Sequence, residues 1–482
     1  MTVMVGDLQD FVSDDLTDAQ SAGIGYLLGQ WRSHWAKNRQ RTLYADTEQA
    51  FKDIGIAMPD QLKRMNYVLG WSSQAVSKPA KRTQFQGVTL ADDDDPLGLS
   101  EVFARSGFES VFSQAVQSAN LHGMALLSVM VDDAGDTRVV GHSAESSAAV
   151  WDHRKGRLSS ALTVNDADEA GRPSRLTAFF PGAVVECWRE GEVWRARPHP
   201  TNWDRIPVVA VANDPQLTSP LGRSRLTNAA MALNDMAVRT LARMEANAEF
   251  YSSPQIAVLG ADYEAFFGDD AMSQSEKFRL AMDRLLAITK DEDGDKPELK
   301  QLTQATMTPH SDMLRSLAMS FAGETGLPPA SLGVVHDQPA SAEAIRAAEH
   351  DLLVDVTFQN AHGYTRAIRE LSGIVAMVRD NLKSPPEEAA RLGVRFADPE
   401  FRSLSAEADA ITKLGPVMPL LSNYPVLLER LFDREQIERI QADNRRSSVS
   451  DLMSKLTEKA DGQSERAVEA TEATVPETEG TE

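Results

Sequence analysis

Residues 221–250 read LGRSRLTNAAMALNDMAVRTLARMEANAEF, and this stretch decides the fold. Apolar side chains recur in it every three or four residues, which is the interval of one face of an α-helix. They are Leu226, Ala230, Leu233, Ala237, Leu241 and Met244. The pattern predicts a helix from Leu221 to Phe250, whose periodic part spans roughly 36 Å at about 1.5 Å per residue. A helix of this length needs a long partner to cover its apolar face.

A partner helix is predicted from Ser311 to Thr325, with Ser311 as its N-cap and Leu327-Pro328-Pro329 ending it. Between the two helices lies an insertion, roughly residues 252–310. Its pattern predicts a small α/β module at the tip of a helical hairpin. The predicted parts are a strand at 255–259, a helix at 273–286, an acidic loop at 291–295 and a strand at 298–302.

The chain before residue 221 changes from helical to strand periodicity. A helix is predicted from Asp18 to about Trp71, and another, after a polar break at 91–96, from about Leu99 to Leu121. From Gly123 onward, short apolar blocks are separated by turn residues, which predicts a largely antiparallel, β-rich unit. The blocks are 125–131, 148–151, 158–164, 176–180, 184–188, 193–197 and 206–211.

The longest helical pattern runs from Ser341 to Leu382, and Gly363 and Gly373 make a bend in it credible. If straight, it would span on the order of 60 Å. Shorter helices are predicted from Ser405 to about Asp443. The last 25 to 30 residues are rich in Glu, Thr, Ala and Ser, and we predict that they are disordered. The fold class predicted from these patterns is α+β, mainly α.

Composition bounds the class of protein. A chain of 482 residues can bury a sizeable core and is expected to form two or three connected domains. Its net charge of −22 argues against a protein that grips nucleic acid along its whole surface, because neutralising phosphate requires clustered Lys and Arg. Such an acidic surface can still serve DNA as a wall to which the duplex does not adhere. An acidic soluble protein whose charge has no special function fits composition alone at least as well.

Two further observations concern compartment and cysteine chemistry. No stretch approaches the roughly 18 to 20 apolar residues of a membrane span, and the N-terminus lacks the pattern of a signal peptide, so we expect a cytosolic protein with no membrane partner. Cys187 is the single cysteine, which excludes an intrachain disulfide and a Cys-rich zinc site. We interpret it as a small apolar residue in a strand.

Motifs of catalysis and cofactor binding are missing or incomplete. No P-loop pattern occurs, so any ATP-driven motor must be a separate protein. Gly141-His142-Ser143-Ala144-Glu145 approaches the nucleophile elbow G-x-S-x-G, but Glu145 stands where the tight turn needs glycine, which favours a polar loop between strands. Residues 23–29 miss the dinucleotide-binding spacing, the histidines include no H-E-x-x-H, and Asp92 to Asp95 lack the spacing of a calcium loop. We therefore expect no enzyme, no cofactor and no metal.

Three segments together resemble the portal proteins of long-tailed bacteriophages. The first is Pro220-Leu221-Gly222-Arg223-Ser224-Arg225-Leu226 with Leu233-Asn234-Asp235, similar to the entry into the first stem helix of that family. The second is 326–329 through 341–349 (SAEAIRAAE), similar to the stem exit, tunnel loop and long kinked helix. The third is 394–399 (VRFADP) with 405–410 and Lys413, similar to the transition into the crown. Their order and spacing carry the resemblance more than any single motif.

The resemblance implies a portal fold with wing, stem, clip and crown. The implied segments are a β-rich wing at 1–225, stem helices at 226–251 and 311–326, a clip at 252–310, a tunnel loop at 327–340, a long kinked helix at 341–395, a crown at 396–445 and an acidic tail at 446–482. Family members form rings, twelve subunits in the virion, at one vertex of the capsid. A closed ring suits the sequence, because a long hairpin can bury its flanks against neighbouring copies.

The resemblance also implies a conduit for packaging and ejection of double-stranded DNA, without sequence specificity. The tunnel-loop residues expected to face DNA are His336, Asp337 and Gln338, unless that loop only joins two helices. The clip residues expected to contact the terminase are Asp291, Glu292, Asp293 and Asp295, unless they form only a solvated loop. The implied partners are the terminase large subunit, major capsid and scaffolding proteins, and head-completion or adaptor proteins. The implied location is the portal vertex of the virion, with assembly in the host cytoplasm.

Two other functions stay open at this point. One is a different acidic scaffold or adaptor of a phage particle, which would assemble only with partners. The other is a hydrolase with Ser143 as its nucleophile.

Overall fold

The computed structural model describes residues 16–52, 65, 67–90, 95–169, 171–191, 193–252, 256–259, 298–301, 306–333, 341–400 and 439. The chain divides into two compact units, Met1–Pro399 and Glu400–Glu482, and the described residues lie almost entirely in the first. The predicted helices between Ser405 and Asp443, and the predicted disordered tail, lie outside the described residues except for Arg439.

The described part of the chain is α+β, as the periodicity predicted. Its helices are α1 (Asp18–Ala45), α2 (Trp71–Arg82), α3 (Leu99–Ser106), α4 (Phe108–His122), α5 (Asn228–Ser252), α6 (Thr308–Thr325), α7 (Ala342–Phe358) and α8 (Thr365–Arg379). Its strands are β1 (Phe85–Thr89), β2 (Met124–Val131), β3 (Thr137–Ser143), β4 (Ser147–Asp152), β5 (Arg157–Ala167), β6 (Pro173–Phe180), β7 (Ala183–Glu190), β8 (Val193–Pro200), β9 (Val208–Ala212), β10 (Ile256–Leu259), β11 (Glu298–Gln301) and β12 (Gly393–Phe396). Short 3₁₀ turns occur at Pro96–Gly98, Pro329–Leu332 and Glu387–Arg391.

Helix α1 begins where the sequence predicted but ends much earlier. Thr17 and Gln20 form a reciprocal capping box that fixes its start. The helix ends at Ala45 and not near Trp71, because Asp46 caps it and Thr47 takes a left-handed φ of 59°. Trp71 instead begins α2. The single long helix predicted here was therefore wrong.

Strands β4 to β8 form a five-stranded antiparallel meander in sequence order. Helix α1 covers one face of it, burying apolar side chains against those of the sheet. The buried residues of this layer include Ile24, Leu27, Trp31, Leu162, Val185 and Trp194. Cys187 is buried in β7, as predicted, and burial raises the pKa of its thiol to about 12, so it stays protonated and apolar at neutral pH.

A second, three-stranded sheet has the order β3-β2-β9. Helices α4 and α8 pack on it and enclose the core of the first unit. Each apolar block predicted between Gly123 and Val211 overlaps a strand, but β3 was missed, and the segment 141–143 assigned to a polar loop belongs to it. The predicted helix over 99–121 is broken into α3 and α4 at Gly107, whose φ is +57°.

Helices α5 and α6 pack against each other, as predicted. Strands β10 and β11 lie at the two predicted strand positions, and they pair as an antiparallel ribbon that the sequence did not predict. Helix α5 begins at Asn228 and not at Leu221, because the chain first makes a tight backbone approach around Gly222. Helix α6 begins at Thr308 and not at Ser311. The predicted N-cap at Ser311 was therefore wrong. Pro309 lies in the first turn of α6, where the backbone N–H that proline lacks would have no partner within the helix.

The long helix predicted from Ser341 is one continuous helical segment with a change of winding. Ser341 caps α7, a π-helical turn follows at Gln359–Tyr364, and α8 ends at Arg379 and not at Leu382. Gly363, one of the two predicted bend positions, lies in the π turn. Gly373 lies within the regular helix α8, where a Cβ would press on Pro385 and Ala389.

Candidate functional surface on the helical hairpin

The hairpin of α5 and α6 buries one face and leaves much of its remaining surface exposed. Its buried face joins α2 and α7 in a separate hydrophobic cluster that includes Trp71, Ala230, Ala237, Phe321 and Leu352. The rings of Trp71 and Phe321 pack 5.5 Å apart at the centre of this cluster. Elsewhere the hairpin exposes small and apolar side chains, among them Ala229, Ala232, Met313, Met319 and Gly323.

The Asp235 carboxylate ties α5 to the end of α1 and the segment that follows it. The Tyr44 hydroxyl donates to this carboxylate at 2.8 Å, and Lys52 Nζ lies 2.7 Å from it. The hydrogen bond to Asp235 raises the pKa of Lys52, so this lysine stays charged at neutral pH. Asp235 belongs to the Leu233-Asn234-Asp235 motif, but no sequence pattern indicated its partners, which are more than 180 residues away.

Arg225 lies where the hairpin meets the long helix. Its guanidinium donates to Asp355 of α7 at 2.6 Å and to the Thr325 carbonyl at the end of α6 at 3.0 Å. Its backbone N–H donates to the Asn120 carbonyl of α4. The arginine side chain is 11% exposed and the aspartate 44%. One residue of the quoted motif therefore ties the entry to α5 to three other helices.

Changing Arg225 to Met is expected to destabilise this junction more than changing its ion-pair partner. Methionine keeps an apolar stem but removes both donors, so the Thr325 carbonyl loses its partner, and a loss of about 1–3 kcal/mol is expected. Asp355→Asn removes the charge of a half-exposed group, for which about 1 kcal/mol or less is expected. Urea unfolding gives both values, and amide exchange in α7 should accelerate in Arg225→Met. Equal effects of the two substitutions would contradict this role of Arg225.

The π turn between α7 and α8 packs against α4 and β9. Tyr364 is buried and its hydroxyl donates to Asn120 Oδ1 at 3.4 Å, while burial raises the pKa of its phenol. A Cβ on Gly363 would lie 2.9 Å from Gln359 Oε1, the end of a flexible side chain, and 3.6 Å from the Ala212 carbonyl, so a larger residue there requires only that the glutamine moves. A π turn carries one extra residue per turn, and such turns are frequent at functional sites.

Ser143, considered as a nucleophile, belongs to a polar network at the end of α4. His122 Nδ1 is 3.3 Å from Ser143 Oγ and 3.2 Å from Ser118 Oγ, and its Nε2 is 3.0 Å from Thr42 Oγ1, which donates to Glu145. Burial lowers the pKa of His122 to about 4, so the ring is neutral at neutral pH. Ser143 Oγ also accepts the backbone N–H of Glu145. The network joins α1, α4 and the turn after β3.

The other predicted site residues fall in segments that lie outside the described residues. These are His336, Asp337 and Gln338 in the predicted tunnel loop, and Asp291, Glu292, Asp293 and Asp295 in the predicted clip. Across the described ranges, no helix is long and apolar enough to cross a membrane. In the same ranges, no group of three or more His, Cys, Asp or Glu side chains is arranged to hold a metal ion.

Fold and surface together define an α+β protein whose long helices leave apolar side chains uncovered. Residues 31–449 match the family model described as "Phage portal protein, SPP1 Gp6-like", and the chain belongs to this family of phage portal proteins. The family is a structural one, which makes the chain a virion component of the capsid. This membership overturns the alternative of a different acidic scaffold or adaptor of a phage particle.

Individual relatives agree with the family. The chain is 28% identical over 388 residues to the portal protein of Mycobacterium phage D29, covering 78% of each chain. It is 28% identical over 385 residues to the portal protein of Mycobacterium phage L5, covering 77% of each. Among solved structures it is similar to a chain from the neck of a native GTA particle computed with C12 symmetry, with a TM-score of 0.39, 16% identity, and coverage of 78% of this chain and 94% of that one.

Proposed function

We propose that this portal protein closes into a ring, of twelve copies by family resemblance, that conducts double-stranded DNA into and out of the capsid. The observation that carries the ring is the apolar surface that a single copy leaves exposed on its long helices. On α7, Ile345 is 51% exposed, Val354 54% and Phe358 57%. On α6, Met313 is 41% exposed and Met319 47%.

Two of these side chains share one face of α7. Val354 and Phe358 are four residues apart, and the ring of His362, one turn further, stacks on Phe358 at 4.5 Å. Apolar rows of this kind on a soluble chain mark interaction surfaces. A heterologous contact, repeated around a closed ring, covers both flanks of each copy. The occupant of this surface is therefore a second copy of the same chain.

Within such a ring we assign the segments as the family resemblance implies. Residues 1–225 form the wing, 226–251 and 311–326 the stem helices, 252–310 the clip, 327–340 the tunnel loop, 341–395 the long kinked helix and 396–445 the crown. The net charge of −22 supports a bore that repels phosphate and so lets duplex DNA pass without adhering or being read by sequence. The protein then acts by conduction and not by catalysis.

The contacts with DNA and other proteins follow the same assignment. His336, Asp337 and Gln338 would face the duplex at the tunnel loop. Asp291, Glu292, Asp293 and Asp295 would meet the terminase large subunit at the clip, where head-completion proteins later bind. Capsid and scaffolding proteins would surround the wing during assembly in the host cytoplasm.

Val354→Glu is expected to abolish ring formation. It places a charge in the contact between copies, where an unpaired carboxylate costs several kcal/mol at each interface of the ring. Val131→Glu is the matched control, because Val131 is 51% exposed at the end of β2 and lies on neither long helix. Native mass spectrometry and electron microscopy should show rings for the wild type and the control, and single subunits for Val354→Glu. A wild-type chain that stays monomeric even during head assembly would sink the proposal.

A further inference from the structure

Four separate segments of this strongly acidic chain bring a group of basic residues together. The segments are the β4–β5 turn, the loop before β9, the first turns of α8, and the residues after α8. We call this group the arginine patch. Its basic residues are Arg154, Lys155, Arg157, Arg205, Arg366 and Lys383, with His153 beside them.

Contacts between these segments hold the patch together. The Arg366 guanidinium donates to the Gly156 carbonyl and lies 5.3 Å from the centroid of the Trp151 ring, which orients it by a cation–π contact. Arg157 donates to the Asp204 carbonyl at 3.4 Å. The Asp204 N–H donates to the Lys383 carbonyl at 2.9 Å, which brings the segment after α8 alongside. The arrangement is therefore fixed by the fold and does not depend on flexible side chains alone.

The patch carries more positive than negative charge. Its carboxylates are Asp152, Asp204 and Glu370, three against six cations. Glu370 is partly buried and interacts with Arg157, Arg205 and Arg366 at once, and desolvation raises its pKa. Arg205 has a lowered pKa, first because it is buried and then because Arg157 lies close to it, as expected for crowded like charges. The patch therefore presents a surplus of positive charge that attracts anions.

The outermost cations are free to meet an anion. His153, Arg154 and Lys155 are exposed on a turn that Asp152 orders by accepting the backbone N–H groups of Arg154 and Lys155 at 2.9 and 3.2 Å. Within the described residues, the side chains of Arg154, Lys155 and Lys383 form no hydrogen bond or ion pair. Exposed arginine and lysine side chains bind phosphate oxygens well, and a guanidinium often does so through two hydrogen bonds.

We propose that the arginine patch binds the phosphate backbone of duplex DNA outside the channel. A protein partner would require an apolar centre, and the exposed turn 152–157 offers charged and polar groups with no exposed large apolar side chain. The choice of DNA as the polyanion rests on the proposed conduit function, because that function brings the genome next to the ring. The contact is independent of sequence, because it reaches phosphates and not base edges. It would hold the duplex against the body of the protein while the acidic remainder of the surface repels it.

The test uses the full-length protein and a labelled random duplex of about 30 base pairs, titrated at salt concentrations from about 50 to 200 mM. The patch variant is Arg154→Gln, Lys155→Gln and Lys383→Gln, all exposed residues whose loss should leave folding intact. The control variant, Arg138→Gln, Arg172→Gln and Arg195→Gln, removes the same charge from exposed arginines elsewhere. Native mass spectrometry of each sample records whether rings are present.

Wild-type protein and control are expected to bind alike. The patch variant is expected to bind at least about tenfold more weakly at low salt, with a slope of log K against log salt that is shallower by about 2 to 3, since each lost phosphate contact removes about 0.9. No binding by the wild type, or equal losses in both variants, would overturn the patch. Binding of polyglutamate in preference to the duplex would overturn it too, by identifying an acidic protein as the ligand. Intact rings in such samples would leave the proposed function standing, whereas absent rings would count against that function alone.

Discussion

Gly222→Ala is expected to lower the free energy of unfolding by more than about 3 kcal/mol. This effect is large for a substitution that removes no side-chain contact. Gly222 has a φ of +85°, a conformation that side chains disfavour. A Cβ there would also collide with the carbonyl oxygens of Gly123 and Asn213, both of which are backbone atoms that cannot move aside independently. The backbone strain and the collision act together, so the close approach of the backbone at residues 123, 213 and 222 must open. We call this close approach the joint.

This joint fixes the entry to the hairpin against the three-stranded sheet and α4. Asn213 donates its N–H to the Gly123 carbonyl at 2.9 Å, and Arg223 donates its N–H to the Asn213 carbonyl at 2.8 Å. The end of α4, the end of β9 and the entry to α5 therefore meet as backbone against backbone. Opening it should shift the two helices of the hairpin relative to the three-stranded sheet, and ring assembly should fall with stability.

Gly135→Ala separates the two causes. Gly135 has the same φ of +85°, but no atom lies within 4 Å of the position that a Cβ would occupy, so only the backbone strain of about 1–2 kcal/mol is expected. Urea unfolding at one fixed protein concentration compares the variants. If Gly222→Ala cost no more than Gly135→Ala, the close approach at the hairpin entry would not matter for stability.

Phe112→Ala is expected to destabilise the body by about 3–5 kcal/mol, because it removes a fully buried aromatic side chain and leaves a cavity. Its ring lies 6.0 Å from Phe85, 5.8 Å from Phe108, 6.0 Å from Tyr364 and 6.1 Å from Phe396. These partners come from β1, α4, the π turn and β12. One side chain thus holds together segments from both ends of the first unit.

The control for Phe112→Ala is Tyr26→Ala, because Tyr26 is 57% exposed on α1 and its loss should change stability by less than about 0.5 kcal/mol. Urea unfolding measures both, and amide exchange should also accelerate in β1 and β12 of the Phe112 variant. A cost below that of the tyrosine control would mean that the aromatic cluster is not a centre of stability.

Local periodicity predicted much of the secondary structure. The start of α1 at Asp18, the helical segment after Ser341, the hairpin helices and the strand blocks all follow from residues close together in sequence. Two kinds of element were not predicted from periodicity. Strand β3 was missed because its polar residues alternate poorly, with one side of the strand exposed. The pair of β1 and β12 was missed because its partners lie some 300 residues apart.

Element ends were less predictable than element types. The start of α5 was placed seven residues too early, since the apolar period continues through Leu221 and Leu226 while the backbone around Gly222 is held in a turn. Helix α1 was extended far past Ala45 for a similar reason, because the sequence does not show that Thr47 adopts a left-handed conformation. Hydrophobic spacing records which side chains face the core, not where the backbone leaves a helix.

The candidate surfaces were also predictable from the sequence only in part. Sequence resemblance alone predicted the family, later shown by the match over residues 31–449, and placed Arg225 and Asp235 in its motifs. It could not show that Arg225 reaches Asp355, or that the turn at 152–157 meets Asp204 and Arg366.

The sequence by itself determined the types of most helices and strands, because periodicity depends on residues that are neighbours along the chain. The order of its motifs indicated the family. Only the tertiary structure decided which uncovered faces remain on α6 and α7, and where cations gather in an acidic protein. Burial and local charge depend on contacts between distant segments, and those contacts are set by packing of the whole unit.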